Sequence, residues 1–199
     1  MLKIGITGGI GSGKTTVCKV FQVLGIPVFY ADDAAKSIMH TDDALKEEII
    51  EVFGKDSYLG NGELNRKHIS AIVFKDREQL SKLNAIVHPA VFRAFDIWVK
   101  AQELVPYVIK EAALLFESDA YKICDHSILV KSPDDIKIKR IMERDDITAE
   151  EVRLRMERQF SDQKKEKMAN YVIINDEHKL LIPQVLALHH HLTNLSYDS

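Results

Sequence analysis

The feature that most constrains the fold is a glycine-rich stretch close to the first residue of the chain. Residues 8–15 read GGIGSGKT and fit the pattern G-x-x-x-x-G-K-[ST]. An apolar run, Leu2–Thr7, precedes this stretch, and a helix-compatible segment, Thr15–Leu24, follows it. The pattern is informative when it lies between a strand and a helix, as it does here. The sequence therefore predicts a phosphate-binding loop and not a chance glycine-rich turn.

The residue types in this loop indicate how it would bind a nucleoside triphosphate. Glycines allow a tight turn that brings backbone N–H groups close to phosphate oxygens, and the following helix adds its positive N-terminal end. Lys14 is expected to reach the β- and γ-phosphates, and the Thr15 hydroxyl is expected to hold Mg²⁺. The predicted ATP-binding residues of the loop are Gly9, Gly11, Ser12, Gly13, Lys14, Thr15 and Thr16.

The composition of the chain limits which partners and which cellular compartment are expected. The chain has 199 residues, a net charge of -3 and a pI near 6.2, which gives no overall basic field for nucleic acid. Its two cysteines, Cys18 and Cys124, match no zinc spacing, and a reducing compartment is expected. The apolar runs are too short for a membrane span, and the first strand leaves no room for a signal peptide. We expect a cytoplasmic protein, monomeric or a weak homo-oligomer, with no nucleic-acid or membrane partner.

Alternation of apolar runs and helical segments predicts an α/β fold. Five runs are typical of buried parallel strands: Leu2–Thr7, Pro27–Tyr30, Tyr107–Glu111, Ser127–Val130 and Tyr171–Ile174. Helical segments separate them, as in a sheet with helices on both faces. We predict a P-loop NTPase three-layer sandwich with a five-stranded parallel sheet in the order 2-3-1-4-5. Its core would comprise residues 1–31, 104–132 and 168–199.

A first insertion, at about residues 32–103, is predicted to be helical and to bind the acceptor of the phosphoryl group. Its predicted helices are Asp33–His40, Ala44–Phe53, Arg66–Phe74, Arg77–Val87 and Pro89–Glu103, with Asn65 and Asp76 as N-caps. The alternative is a helical decoration that only covers the sheet.

A second insertion, at about residues 133–167, is rich in charges of both signs. Ser132 and Pro133 predict the start of one helix, and residues 148–151, with sequence TAEE, form a capping box for the next. In a phosphotransferase, such a segment is expected to form a mobile lid that brings cations over the phosphates. The alternative interpretation of the segment is a solvated helical hairpin. Near the C-terminus, residues 189–191 are adjacent histidines on a predicted helix, so their side chains diverge and do not favour a metal site.

Asp32 follows the second predicted strand, at the sheet edge where α/β proteins bind ligands. A carboxylate there would accept a hydroxyl proton or hold a magnesium-bound water, although Asp32 or Asp33 would also serve as a helix cap. The sequence contains no Asn-Lys-x-Asp guanine-reading motif, which disfavours a signalling GTPase. Glu111, at the end of the third strand, is the acid that would reach Mg²⁺ through a water.

Several further motifs occur in a fixed order along the chain. They are ITGGIGSGKTT at 6–16, Ala31-Asp32, Asn65-Arg66 followed by Val73-Phe74, LNAIVHP at 83–89, LLFE at 114–117, Arg140 with Arg144-Asp145, Arg155-x-x-x-Gln159, and ANYVI at 169–173 with Asn175. In this combination the chain resembles the dephospho-coenzyme A kinase family. It departs from the family's usual pattern at Tyr30, Ala113 and Asn170, where an acid, a proline and an aspartate are common.

The resemblance implies ATP-dependent phosphorylation of the ribose 3′-hydroxyl of dephospho-coenzyme A, the last step of coenzyme A biosynthesis, with Mg²⁺ as cofactor. It implies that Asp32 is the base and that Arg140 and Arg144 offset charge in the transition state. Asn175 would lie at the ATP site, and Arg66, Glu117 and His88 would contact the acceptor. His88 has a structural alternative, which is to pin a helix that starts at Pro89. Rival interpretations are a kinase for another small acceptor and a P-loop binding module without turnover.

Overall fold

A computed structural model of the chain describes residues 1–73 and 76–197. Its strands are β1 (Leu2–Thr7), β2 (Val28–Tyr30), β3 (Tyr107–Glu111), β4 (His126–Lys131) and β5 (Tyr171–Ile174). All pairings are parallel, and the order is β2-β3-β1-β4-β5, which confirms the predicted order. Because Ile6 lies opposite Glu111, and Glu111 opposite Tyr30, the carboxyl ends of β1, β2 and β3 share one edge.

The helices and the sheet divide between two compact units. Residues 1–30 and 101–199 form the first unit, which contains the sheet with α1 (Lys14–Val23), α6 (Asp134–Asp145), α7 (Ala149–Met156), α8 (Asp162–Met168) and α9 (Leu181–Tyr197). Residues 31–100 form the second unit, which is helical and contains α2 (Ala31–Thr41), α3 (Asp43–Phe53), α4 (Arg66–Val73) and α5 (Arg77–Lys100). Short 3₁₀ helices occupy Lys55–Ser57 and Ala120–Ile123.

The core of the first unit fixes the start of α1 against the sheet. Ile4 and Ile6 of β1 are fully buried, as are Val17 and Phe21 of α1, and all four belong to one apolar cluster. Val185 and Leu192 bring α9 to the same cluster. The loop between β1 and α1 is therefore anchored firmly at both ends.

N-capping in the second unit agrees with the sequence. The Asn65 side-chain oxygen accepts a hydrogen bond from the His68 N–H at 3.2 Å, so Asn65 caps α4 as predicted. Asp76 caps α5 by accepting from two backbone N–H groups, those of Glu78 and Gln79. Phe74, the predicted end of α4, lies outside the described residues.

Pro89 does not start a helix, and that prediction is wrong. It lies inside α5, which runs without interruption from Arg77 to Lys100. Proline inside a helix costs about 3 kcal/mol. On both sides of Pro89, however, residues at helical spacing pack into the unit and outweigh this cost: Val87, Ala90, Val91, Phe95 and Val99, all buried. As a result, His88 is a mid-helix residue, and its ring stacks on Phe92 at 6.3 Å between centroids.

Caps in the segment after β4 were predicted with mixed success. Thr148 and Glu151 form the predicted capping box, with the Thr148 N–H donating to Glu151 Oε2 at 2.8 Å. Ser132, in contrast, does not cap α6. Pro133 takes the N-cap position, and the Ser132 hydroxyl accepts a hydrogen bond from Arg140 instead.

The consecutive histidines of α9 contact tyrosines of the sheet. His189 Nδ1 lies 2.7 Å from the Tyr107 hydroxyl, and His191 Nε2 lies 3.0 Å from the Tyr171 hydroxyl. Burial and, secondarily, the neighbouring His190 lower the pKa of His189. Within residues 1–73 and 76–197, no group of three or more potential metal ligands is found. In the same residues, no helix has both the length and the apolar character needed to cross a bilayer.

Candidate active site

The loop between β1 and α1 leaves the helix N-terminus open. Gly13 occupies the N-cap position at φ 92°, a left-handed conformation, and no side chain caps the helix. Gly11, at φ 80°, is also left-handed, so glycine is favoured at both positions. The first N–H groups of a helix have no intrahelical acceptor and carry partial positive charge. The loop is therefore built to bind an anion.

Lys14 forms hydrogen bonds to backbone carbonyls of the loop to which it belongs. Its ammonium donates to the carbonyl oxygen of Gly8 at 3.0 Å and to that of Gly9 at 3.3 Å. These bonds point two loop carbonyls at the ammonium and place its charge where the loop would hold phosphates. The sequence prediction for Lys14 is thus consistent with its geometry, and its contact with ATP stays a prediction.

Two side chains from distant parts of the chain bind further loop carbonyls. Arg140 Nη1 donates to Gly11 O at 3.3 Å, and Asn175 Nδ2 donates to Ser12 O at 2.8 Å. A β-carbon on Gly13 would collide with the Asn175 amide, so the Asn175 contact also requires glycine there. Asn175 was predicted at the ATP site and Arg140 was predicted to be catalytic, and the structure brings both to the loop.

Gln159 is a loop contact for which the sequence predicted no role. Its side-chain oxygen accepts a hydrogen bond from the Ile10 N–H at 2.9 Å. Gln159 belongs to the Arg155-x-x-x-Gln159 motif, so a signal was present, but nothing in the spacing of that motif indicates which backbone group the amide reaches.

Arg140 and Arg144 have different surroundings, although both were predicted to be catalytic. Arg140 is 27% exposed and forms an ion pair with Glu177 at 3.1 Å, which keeps its guanidinium beside the loop. Arg144 lies about one turn further along α6 and is 63% exposed. It forms two hydrogen bonds to Asp145, the nearer at 2.7 Å, and Asp145 also pairs with Arg155. The hydrogen bond from Arg144 lowers the pKa of Asp145, so this pairing holds the Arg144 guanidinium at the outer end of the helix.

The oxygen donors near the loop suit a magnesium ion. Thr15 is exposed on the first turn of α1, and Glu111 is 7% exposed at the end of β3. Burial, and then the charge of Glu111, raises the pKa of the Cys18 thiol, while Lys14 opposes the rise. Glu111 lies opposite Ile6 of β1, two residues before the loop begins. A hydroxyl and a carboxylate are the ligand types that Mg²⁺ prefers.

Glu117, predicted at the acceptor site, forms contacts that stabilise the fold. Its Oε1 atom accepts from the Phe160 N–H at 2.7 Å and pairs with the Lys165 ammonium at 3.0 Å. Lys165 is fully buried and also donates to Ala113 O at 3.2 Å. These bonds join the segment after β3 to the start of α8, and a contact between Glu117 and an acceptor stays a prediction.

Three further predicted site residues, Asp32, Arg66 and His88, belong to the second unit. Asp32 is exposed and is the second residue of α2, so it is not at the cap position. Asp33, also exposed, pairs with Lys36 at 2.8 Å. Arg66 is the exposed first residue of α4, and His88 is half-buried on α5. Their roles toward an acceptor stay predictions.

Asn170 and Tyr30, two of the departures from the family pattern, both make polar contacts. Asn170 Oδ1 accepts from the N–H and the hydroxyl of Ser127 at 2.8 and 3.0 Å, which an aspartate would do equally well. The Tyr30 hydroxyl donates to Gln22 Oε1 at 3.0 Å.

A cavity of about 970 Å³ lies beside the loop within the first unit. Residues of the loop and of the segment that follows β4 contribute to its lining, among them Gly9, Ser132, Lys137, Gln159 and Asp162. Lys137 is a second residue without a predicted role. Its place three positions before Arg140 on α6 puts both side chains on one helix face, a signal that could have revealed it.

A parallel sheet in this order, with an open phosphate loop and an arginine-bearing helix beside it, defines a P-loop kinase architecture. Comparison with known proteins specifies the family. The family model described as dephospho-CoA kinase matches residues 2–180. A Bacteroides fragilis dephospho-CoA kinase is 36% identical over 187 residues, covering 94% of this chain and 91% of the relative. On these grounds the chain belongs to the dephospho-CoA kinase family.

Solved structures agree with this assignment. The Thermus thermophilus protein TT1252 superposes with a TM-score of 0.82 at 32% identity, covering 98% of this chain and 97% of the other. A dephospho-CoA kinase from Campylobacter jejuni gives a TM-score of 0.68 at 25% identity, covering 96% and 97% of the two chains. The fold and the family thus agree over nearly the whole length.

Proposed function

We propose that this protein transfers the γ-phosphoryl group of ATP to the ribose 3′-hydroxyl of dephospho-coenzyme A, giving coenzyme A and ADP. The observation that carries the proposal is the phosphate loop, whose carbonyls are bound by Lys14, Arg140 and Asn175. With its carbonyls bound in this way, the loop keeps a fixed shape at the open N-terminus of α1, which suits a triphosphate. Membership of the dephospho-CoA kinase family supports the choice of acceptor.

Within this proposal the loop residues bind ATP and the metal. The N–H groups of the loop and of the first turn of α1 cradle the phosphates, and Lys14 reaches the β- and γ-oxygens. Thr15 would hold Mg²⁺ directly, and Glu111 would hold it through a water. When bound, Mg²⁺ neutralises charge on the β- and γ-phosphates.

The acceptor side is assigned to the helical insertion at about 32–103. Asp32 would take the proton from the 3′-hydroxyl as its oxygen attacks the γ-phosphorus and the bond to ADP breaks. Arg66, His88 and Glu117 would contact the acceptor, as the family resemblance implies. The exposed position of Asp32 on the first turn of α2 leaves its carboxylate accessible to a substrate hydroxyl, which supports this role.

The segment at about 133–167 is assigned to a lid over the phosphates. If Arg140 acts mainly on the transition state, Arg140→Ala should lower kcat about 10²-fold and raise the KM for ATP by a smaller factor. Lys139→Ala is the matched control, because Lys139 is an exposed cation on the same helix. Small, equal changes in kcat and KM for Arg140→Ala would contradict the lid assignment and favour a solvated hairpin.

We also propose that the protein acts in the cytoplasm, as a monomer or weak homo-oligomer, without a nucleic-acid or membrane partner. Both cysteines are free thiols, and burial raises the pKa of Cys124 to about 11. Protonated, unpaired thiols suit a reducing compartment.

A coupled ADP-release assay over a small acceptor panel tests the proposed reaction. The panel contains dephospho-coenzyme A, its 3′-deoxy analogue, AMP and a sugar acid. ADP should form with dephospho-coenzyme A alone, because the analogue lacks the attacking oxygen. Turnover of AMP or of the sugar acid would assign a different small-molecule kinase, and ATP binding without ADP from any acceptor would assign a binding module.

A further inference from the structure

Two lysine ammonium groups lie close to Gly9 of the phosphate loop. Lys14 Nζ lies 3.3 Å from the Gly9 carbonyl oxygen. Lys137 Nζ lies 3.2 Å from the position that a β-carbon on Gly9 would take. Lys137 comes from α6, more than a hundred residues further along the chain, and its side chain is only 4% exposed. The fold therefore places a second, buried lysine against the loop that binds phosphates.

The surroundings of Lys137 keep it charged. Its ammonium pairs with Asp134 at 2.7 Å and with Asp162 at 2.8 Å. Burial alone would lower the pKa of Lys137, but the hydrogen bonds to Asp134 and Asp162 outweigh it, and the pKa is raised. The ion pairs therefore keep a full positive charge beside the loop, which a phosphate-binding role requires.

The two carboxylates differ in how readily they can release the ammonium. The Asp162 side chain is 14% exposed, whereas that of Asp134 is 73% exposed. An exposed carboxylate returns to water at little cost, because its ion pair contributes little. An ammonium also has three hydrogens, and these two carboxylates are its ion-pair partners among the residues that the structure describes. Lys137 can thus bind a phosphate oxygen and keep Asp162.

We propose that Lys137 is a second phosphate-binding lysine, which contacts the triphosphate of ATP in the loop while Asp162 holds its ammonium in place. The proposal rests on the proposed function, since it names a further residue of the same site. It assigns to α6 two phosphate cations on one face, Lys137 and Arg140, separated by three positions. The competing explanation is an ion pair that only ties α6 to α8.

The two explanations differ in what happens when both partners are removed. Lys137→Met keeps the length of the side chain and removes the charge, and Asp162→Asn removes the facing charge. If Lys137 binds phosphate, Lys137→Met should weaken binding of a non-hydrolysable ATP analogue with Mg²⁺ about tenfold. The double variant should be equally weak, and Asp162→Asn should bind as tightly as wild type or more tightly.

Isothermal titration of the full chain gives the dissociation constants, and thermal unfolding shows that each variant is folded. Lys139→Met, an exposed cation on the same helix, is the matched control and should bind like wild type. Wild-type affinity in Lys137→Met, or affinity restored within about twofold in the double variant, would overturn the proposal and leave a structural tie. If Lys137→Met fails to fold, the double variant, which has no unpaired buried charge at this site, decides.

The titration does not depend on the acceptor. Failure of dephospho-coenzyme A in the ADP-release assay would refute the proposed reaction and leave the Lys137 result intact. Normal turnover of dephospho-coenzyme A, together with wild-type ATP affinity in Lys137→Met, would refute the Lys137 proposal and leave the proposed reaction intact.

Discussion

Replacing Lys14 by alanine is expected to lower kcat by about 10³-fold or more with dephospho-coenzyme A as acceptor. The reason is electrostatic: phosphoryl transfer is catalysed mainly by positioning and by charges placed on the transferring group. The Lys14 ammonium is held at the loop by the carbonyls of Gly8 and Gly9, where the γ-phosphoryl group is proposed to lie. Steady-state kinetics of the variant gives the result directly.

The fold should survive this substitution. Lys14 is half-buried at the first position of α1 and lies outside the apolar cluster that anchors the helix. Lys19→Ala is the matched control, since Lys19 is an exposed lysine on the same helix. A Lys14→Ala enzyme with near-normal kcat and a normal circular dichroism spectrum would refute the assignment of the phosphate loop.

Asp32→Asn is the second substitution with a large expected effect. Asparagine keeps the size and much of the hydrogen bonding of aspartate but removes its charge and basicity. Loss of general-base help is expected to lower kcat about 10²–10⁴-fold, while the affinity for ATP stays within a few-fold. Comparing kcat with the dissociation constant for ATP measures both effects.

Asp33→Asn is the control for Asp32→Asn. Both aspartates are exposed in the first turn of α2, so both interact favourably with the helix dipole, by up to about 1 kcal/mol. Both variants should lose some stability, Asp33→Asn slightly more because it also loses the ion pair with Lys36, and only Asp32→Asn should lose activity. Equal activity in the two variants would leave Asp32 with a role in helix stability alone.

The sheet could be predicted from the sequence because its central strands, β1, β3 and β4, are buried on both faces. Such strands appear as short continuous apolar runs, and β1, β3 and β5 have the predicted bounds. The strand order was predicted with the assignment to the P-loop kinases and not from the apolar runs themselves. Helix N-caps could also be predicted from the sequence, as Asn65, Asp76 and Thr148 show.

Contacts between distant parts of the chain could not be predicted from the sequence. Pro89 has the local signature of a helix start, but packing of buried residues on both sides of it keeps α5 continuous. Lys137 is one of several lysines in a charged segment. Its spacing from Arg140 places it on the same helix face, but only the fold shows that it is buried against Gly9. Glu117 was assigned from the resemblance, and its ion pair with Lys165 depends on a contact across 48 residues.

The contacts of the phosphate loop also have a consequence for the order of synthesis. The loop motif is made first, at residues 8–15, but Arg140, Gln159 and Asn175 supply its outer hydrogen bonds. Domains form as the chain emerges from its N-terminal end. A nascent chain that ends before Asn175 therefore carries the complete motif without the full set of contacts that shape it. We expect the loop to reach its final shape only when most of the protein has been translated.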